Sequence, residues 1–255
     1  MPLTPEEWHR WFTVQARWTQ ETRLWLYRQA GLSNARAILE VGCGSGVITA
    51  ELAHLVPGRV VVGLDCDPQM INVARQRNST PLYVLGDAHT LPFPAEHFDI
   101  VVSHYLFLWL ACPERAIREM ARVVRAGGSV LACAEPDYGG RVDYPPELEE
   151  SGRLQAAALR QQGADPQIGR RLGELFVGAG LQVTLGVMGG QWELPPYAGA
   201  GGDFEAEWDV RERDLATLCP CDRLRMWRAL DRKALESGRR VLFVPTFYAW
   251  GRKSP

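Results

Sequence analysis

Three glycines at alternate positions, Gly42, Gly44 and Gly46, follow the run Ile38-Leu39-Glu40-Val41, and Val47-Ile48 come directly after them. Glycines spaced this way let a backbone turn tightly at the end of a buried strand and approach a ligand closely. The free N–H groups of a following helix then face the same point. About twenty residues on stands Asp65, a carboxylate able to accept from two ribose hydroxyls. Gly86-Asp87-Ala88 offers another carboxylate for an exocyclic amine and a backbone N–H for a ring nitrogen. Each element has a plain alternative: a tight structural turn, a helix N-cap, a loop. Asp67 ahead of Pro68 fills the N-cap role better than Asp65. The glycine spacing also departs from the dinucleotide fingerprint, since Val47 occupies its last glycine position.

These residues need strands and helices to position them, and the pattern supplies both. Apolar runs of strand length occur at Ala37-Ile38-Leu39, Val60 to Leu64, Leu82 to Leu85, Phe98 to Val102 and Ser129 to Ala134, as expected for strands buried on both faces. Helical spacing separates them, the last helix running from Pro113-Glu114 to a stop at Gly127-Gly128. Strand and helix in alternation predict a doubly wound, mostly parallel α/β sheet. Ahead of it, Pro5 to about Ala30 carries tryptophans at helical spacing, as one long helix or two short ones. Behind it, helices are expected over Glu147 to Gln162, Ile168 to Ala179, Phe204 to Leu218 and Asp222 to Glu236. A strand is expected at Leu181 to Val187, a long loop at Gly189 to Gly202, and a final strand at Val241 to Trp250.

The 255 residues carry 28 basic and 30 acidic side chains, a balance that gives no electrostatic case for general nucleic-acid or membrane-surface binding. The richest apolar stretch, Phe98 to Cys112, is broken by Asp99, Ser103 and His104, short of the roughly 18 apolar residues of a membrane span. Glu6, Glu7 and the tryptophans do not suit a secretion signal. The expectation is a cytoplasmic protein whose six cysteines are reduced thiols. His9, His54, His89 and His97 lack metal-ligand spacing, and no metal is expected; Cys219-Pro220-Cys221 reads as incidental.

Taken together, Glu40 to Gly46, Gly63-Leu64-Asp65, Gly86-Asp87-Ala88, Phe98 to Ser103 and Arg125-Ala126-Gly127-Gly128-Ser129 resemble the ordered motifs of class I S-adenosylmethionine-dependent methyltransferases. The resemblance covers about Ala35 to Glu135; Arg125-Ala126 stands where the family usually has Lys-Pro. It implies a Rossmann-like sheet of seven strands, the last antiparallel. It also implies that Gly42, Cys43 and Gly44 line the methionine part of S-adenosylmethionine, with Glu40 supporting its amino group. Asp65 would hold the ribose, Cys66 and Met70 would pack near the adenine, Asp87 and Ala88 would read its edge, and Ser103 would offer its carbonyl to the amine.

Methyl transfer needs a nucleophile held in line with the sulfonium methyl and water kept out. His104 is the candidate base or orienting group, with a packed, merely hydrogen-bonded histidine as the alternative; Trp18, Tyr105, Glu135, Asp137 and Tyr138 are candidate acceptor contacts. Segment 1–34 is expected to act as a helical extension or lid. Segment 35–188 would be the cofactor-binding core with a helical insertion at about 137–167, and 189–255 would supply lid helices and the last strand. The acceptor is expected to be a small molecule methylated at O, N or C. A nicotinamide-dependent oxidoreductase and a non-catalytic nucleotide-binding module are the competing readings.

Overall fold

The computed structural model describes residues 3–190 and 200–255, with the side chains of the last segment described from residue 203 onward. The expected loop at Gly189 to Gly202 lies mostly outside these residues. Two helices open the chain, α1 (Pro5–Trp18) and α2 (Gln20–Gln29), so the N-terminal pattern resolves into two pieces. A reciprocal capping box between Thr4 and Glu7, with Pro5 in the first turn, starts α1. The core then runs β1 (Ala37–Val41), α3 (Val47–Leu55), β2 (Val60–Asp65), α4 (Pro68–Arg77), β3 (Leu82–Leu85), β4 (Phe98–Ser103), α5 (Pro113–Val123) and β5 (Val124–Pro136). After it come β6 (Val142–Tyr144), α6 (Glu149–Gln161), α7 (Leu172–Gly178), β7 (Gln182–Val187), α8 (Ala200–Leu215), α9 (Cys221–Glu236), β8 (Val241–Phe243) and β9 (Thr246–Arg252).

Seven strands form one sheet in the order β3-β2-β1-β4-β5-β9-β7, in which β9 alone runs antiparallel to its neighbours. This is the mostly parallel α/β sheet expected. Strand parity divides its side chains between two cores. Ile38, Ile100 and Val102 pack with Leu26, Tyr27, Ile48 and Leu52 from α2 and α3. Leu39, Val41 and Val101 face the opposite way, against Ile117 and Met120 of α5 and Leu172 and Phe176 of α7.

Several boundaries differ from expectation. Helix α5 stops at Val123, not at the glycine pair, and Gly127 and Gly128 belong to strand β5. At Gly128 a Cβ would lie 2.7 Å from the Asp99 carbonyl, so the glycine permits close strand contact rather than ending a helix. The expected strand Val241 to Trp250 is two strands, broken at Val244-Pro245, where proline has no N–H to continue a ladder. Helix α8 also begins earlier than Phe204.

Helices α6, α8 and α9 build a second, smaller apolar cluster around Leu148, Phe204, Trp208 and Trp227. Buried ions stitch it together. Asp231, 1% exposed, accepts from Trp208 Nε1 at 2.8 Å and Arg240 Nε at 2.7 Å, and Glu207 accepts from Arg211 and Arg240, both at 2.6 Å. Removing one member of such a network leaves buried charges without partners. Asp231→Ala is therefore expected to lower stability by about 3–5 kcal/mol in urea unfolding. A loss below about 1 kcal/mol would show that the arginines find other partners.

Candidate active site

The carboxyl ends of β1, β2, β4 and β5 open onto a cavity of about 410 Å³. One wall is the glycine turn. Gly42, Gly44 and Gly46 have φ of 76°, 50° and 81°, a region open to glycine at little cost. Leu106 packs where a side chain on Gly42 would go, 2.7 Å from the ideal Cβ position, and Phe12 does the same at 2.9 Å above Gly44. Asp65 braces the turn from β2: its Oδ2 accepts from Gly44 N at 2.7 Å and its Oδ1 from Asp67 N at 2.9 Å. A carboxylate has about four acceptor positions, so roughly one per oxygen is left for hydroxyl donors. Asp67 caps α4 through Gln69 N at 2.8 Å, leaving Asp65 to the turn.

Asp87 Oδ1 accepts from both the backbone N and ring Nδ1 of His89, at 2.9 and 2.7 Å, and these bonds hold its pKa below the ordinary carboxylate range. His89 Nε2 accepts from Cys112 N at 3.4 Å, which ties this turn to the segment after β4. Glu40 is 2% exposed at the cavity floor and accepts from the Thr49 hydroxyl. Burial pushes its pKa up to about 8 against the pull of that bond. Burial raises Asp65 as well, opposed by its backbone donors.

The cavity gathers Glu40, Gly42, Cys43, Gly44, Asp65, Cys66, Asp87, Ala88, His104, Tyr105 and Tyr138. Five other expected residues are not on its wall. Met70 lies on α4, 8% exposed. Ser103 is fully buried, its Oγ toward Leu131 O at 3.4 Å. Trp18 ends α1 49% exposed, edge-on to Trp11 at 5.3 Å between ring centroids. Glu135 is fully buried beneath the loop after β4, accepting from Leu106, Phe107 and Leu108 N at 2.8, 2.9 and 3.2 Å. Asp137 is locked to Arg170 through bonds of 2.5 and 2.8 Å and caps the next turn through Gly139 N. Both carboxylates thus shape the wall from behind.

Sequence reasoning missed Trp8, Phe12 and Gln15, which with Trp11 form one face of α1 at i, i+3, i+4 and i+7 and line the cavity. That spacing was the available signal. It also missed Gln155, Leu159, Val210, Arg213 and Asp214, which close the far side from α6 and α8. The Arg213 guanidinium lies 4.4 Å over the Trp8 ring and pairs with Asp214 at 2.6 Å. His9 Nδ1 meets Ser45 Oγ at 2.8 Å, pinning α1 to the glycine turn. Among the described residues no group of three or more His, Cys, Asp or Glu is placed to hold a metal ion, and no helix is long and apolar enough to cross a membrane.

Residues 39–132 match a family model described as a methyltransferase domain. An uncharacterized methyltransferase of Schizosaccharomyces pombe is 33% identical over 147 residues, 53% of this chain and 52% of the relative. A malonyl-[acyl-carrier protein] O-methyltransferase of Erwinia pyrifoliae is 30% identical over 161 residues, 63% of this chain and 60% of that protein. The chain spans about half the length of the curated relatives it matches. Among solved structures, phospholethanolamine N-methyltransferase 2 of Haemonchus contortus, in complex with S-adenosylhomocysteine, shares the fold: TM-score 0.59 at 16% identity, over 92% of this chain and 53% of that one. The glycine turn, Asp65 and Asp87 all fall inside the matched segment. Over that segment the chain is similar to S-adenosylmethionine-dependent methyltransferases, and it shares the fold of their solved structures.

Glu40 and Glu135, both pushed up to about 8 by burial, give stability a sign with pH. From the ordinary 4.5 up to about 8 the folded state holds protons that the unfolded chain has released, so their contribution falls as pH rises through that window. Glu40→Gln should flatten this decline in urea midpoints taken at successive pH values. An unchanged slope would mean that Glu40 is ionised in the folded protein.

Proposed function

We propose that the protein transfers the methyl group of S-adenosylmethionine to a small organic acceptor. The observation that carries this reading is the single cavity wall shared by the glycine turn, Asp65, Asp87 and His104. The residues fit that cofactor: the three glycines bring backbone to the cavity, Asp65 keeps acceptor positions for a ribose diol, Asp87 keeps Oδ2 for an amine, and Glu40 lies where a cationic amino group gains from a carboxylate. Cys66 and Ala88 complete the nucleoside side, with Cys43 beside the glycines. When bound, S-adenosylmethionine supplies an activated methyl on a sulfonium.

The chain's own work is then to bind, orient and exclude water. The aromatic face of α1, Tyr105, Tyr138 and the α6–α8 side enclose the acceptor space, and His104 faces it as the orienting group. Segment 1–34 and the helices of 189–255 serve as its cover, and the balanced charge of the chain favours a small molecule over a nucleic acid. A cytoplasmic setting belongs to the same reading, supported by six free thiols.

Isothermal titration with S-adenosylhomocysteine tests the cofactor assignment. Asp65→Ala is expected to weaken binding by about 1–3 kcal/mol, the range for hydrogen bonds to a charged group. Unchanged affinity in a folded variant would refute the ribose assignment. Because Glu40 is largely protonated near pH 7, binding a ligand ammonium should release a proton and tighten as pH rises toward about 8. Titrations in buffers of different ionisation enthalpy read that proton directly.

A further inference from the structure

Thr19, 2% exposed at the junction of α1 and α2, has one hydroxyl proton and three close neighbours. Its Oγ1 lies 2.6 Å from Arg23 Nη1, 2.8 Å from His104 Nε2 and 3.0 Å from Gln15 O, with Ala16 O farther off at 3.4 Å. Arg23 can only donate, so it takes one lone pair of the hydroxyl. Gln15 O lies in the last turn of α1, where carbonyls lack helical partners, and the Thr19 N–H turns instead to Arg17 O. Ala16 O is already served by Arg23 Nη1 at 2.9 Å. Every group is satisfied in one arrangement: the Thr19 proton goes to Gln15 O, and its second lone pair accepts Nε2–H from His104. Neutral imidazole then carries no proton on Nδ1, which has no hydrogen bond among the described residues on a ring that lines the cavity.

Resting on the proposed methyl transfer, we infer that His104 Nδ1 accepts a hydrogen bond from the acceptor, that Thr19 and the Arg23–Glu51 pair are its positioning residues, and that the acceptor is therefore an O–H or N–H compound. Arg23 is itself fully buried and held by Glu51 through two bonds of 2.7 and 2.6 Å, so the relay is fixed at its outer end. Burial, with the Arg23 guanidinium adding to it, keeps the ring neutral, holding its pKa down to about 3. A neutral ring repels the sulfonium less and keeps its lone pair available. In the transfer, the acceptor atom bonds to the methyl carbon as the carbon–sulfur bond breaks, and the sulfur keeps that electron pair as a neutral thioether. The O–H or N–H bond breaks toward Nδ1, so one positive charge leaves the sulfur as another forms on imidazole, whose low pKa sends the proton on to water. A tertiary amine or thioether has no proton to offer and gains nothing from this nitrogen.

The tautomer can be read without any ligand, in a long-range ¹H–¹⁵N correlation spectrum of the labelled protein with His104 assigned by mutation. The expected result is protonated Nε2 and bare Nδ1. Thr19→Val should populate the Nδ1–H form and Thr19→Ser should restore the original one, with S-adenosylhomocysteine affinity changed less than about twofold in both. Protonated Nδ1 in the parent protein, or a Thr19→Val spectrum identical to it, overturns the inference. Failure of S-adenosylhomocysteine to bind overturns the proposed function instead, so the two are separable. With labelled S-adenosylmethionine and matched pairs, a phenol against its methyl ether and a secondary against a tertiary amine, only the proton-bearing member should be methylated. Transfer to the tertiary amine overturns the acceptor class. On a methylated substrate, Thr19→Val should lower kcat by about tenfold or more, with KM for S-adenosylmethionine unmoved.

Discussion

The glycine turn after β1 is the constraint on which the remaining structure depends. At Gly42, Gly44 and Gly46 the backbone takes positive φ, and the volume that side chains would fill is used by three separate elements. Leu106 from the loop after β4 packs at Gly42, Phe12 from α1 at Gly44, and the Tyr83 hydroxyl from β3 at Gly46, 2.6 Å from the ideal Cβ position. A side chain at any of the three would add backbone strain and a steric conflict together. Because those neighbours come from distant parts of the sequence, the turn fixes the relative placement of the N-terminal helix, the sheet edge and the loop that carries His104.

Buried charge reinforces that placement from below. Glu135 collects three successive N–H groups of the loop at Leu106 to Leu108, so the loop that packs on Gly42 is anchored by β5. Tyr105 in the same loop has a φ of 53°, uncommon for a bulky residue, and its N–H bonds to Ala134 O at 2.8 Å. Strain of this kind persists only where surroundings over-determine the backbone, and here two strands and a buried carboxylate do so. Arg23 performs the matching service for the opposite wall, joining the end of α1 to Glu51 of α3.

What the sequence revealed followed from locality. The strand, glycine turn and helix are contiguous, so their geometry is written in adjacent residues; Asp65 and Asp87 were legible because each directly ends a strand or starts a turn at the carboxyl edge. Residues whose roles depend on partners far along the chain were not. Glu135 and Asp137 sit at the right edge, yet one meets loop N–H groups and the other Arg170, contacts with no local signature. Trp18 has the helical spacing of the cavity face, but α1 ends there, and its neighbour Thr19 turns inward to His104 while Trp18 faces solvent. The division of the last strand could have been anticipated from Pro245, since a residue without an N–H interrupts a ladder.

The far side of the cavity obeys a different logic from the side formed by the glycine turn. There the charged groups are already matched: Arg213 stacks on Trp8 and pairs with Asp214, and Asp214 also accepts from Gln155 and Gln162 at 3.2 and 3.3 Å. A ligand approaching this wall meets an aromatic and amide-rich surface with little net charge, so discrimination there rests on shape and apolar contact. Apolar contacts discriminate weakly per group, whereas a hydrogen bond that must be made discriminates strongly, because its absence leaves a polar group unpaired. On the proposed reading, the α6–α8 wall sets the size of the acceptor and the bare nitrogen of His104 sets its reactive group. The first function tolerates change in the cap, while the second requires the buried Thr19–Arg23–Glu51 relay to stay intact.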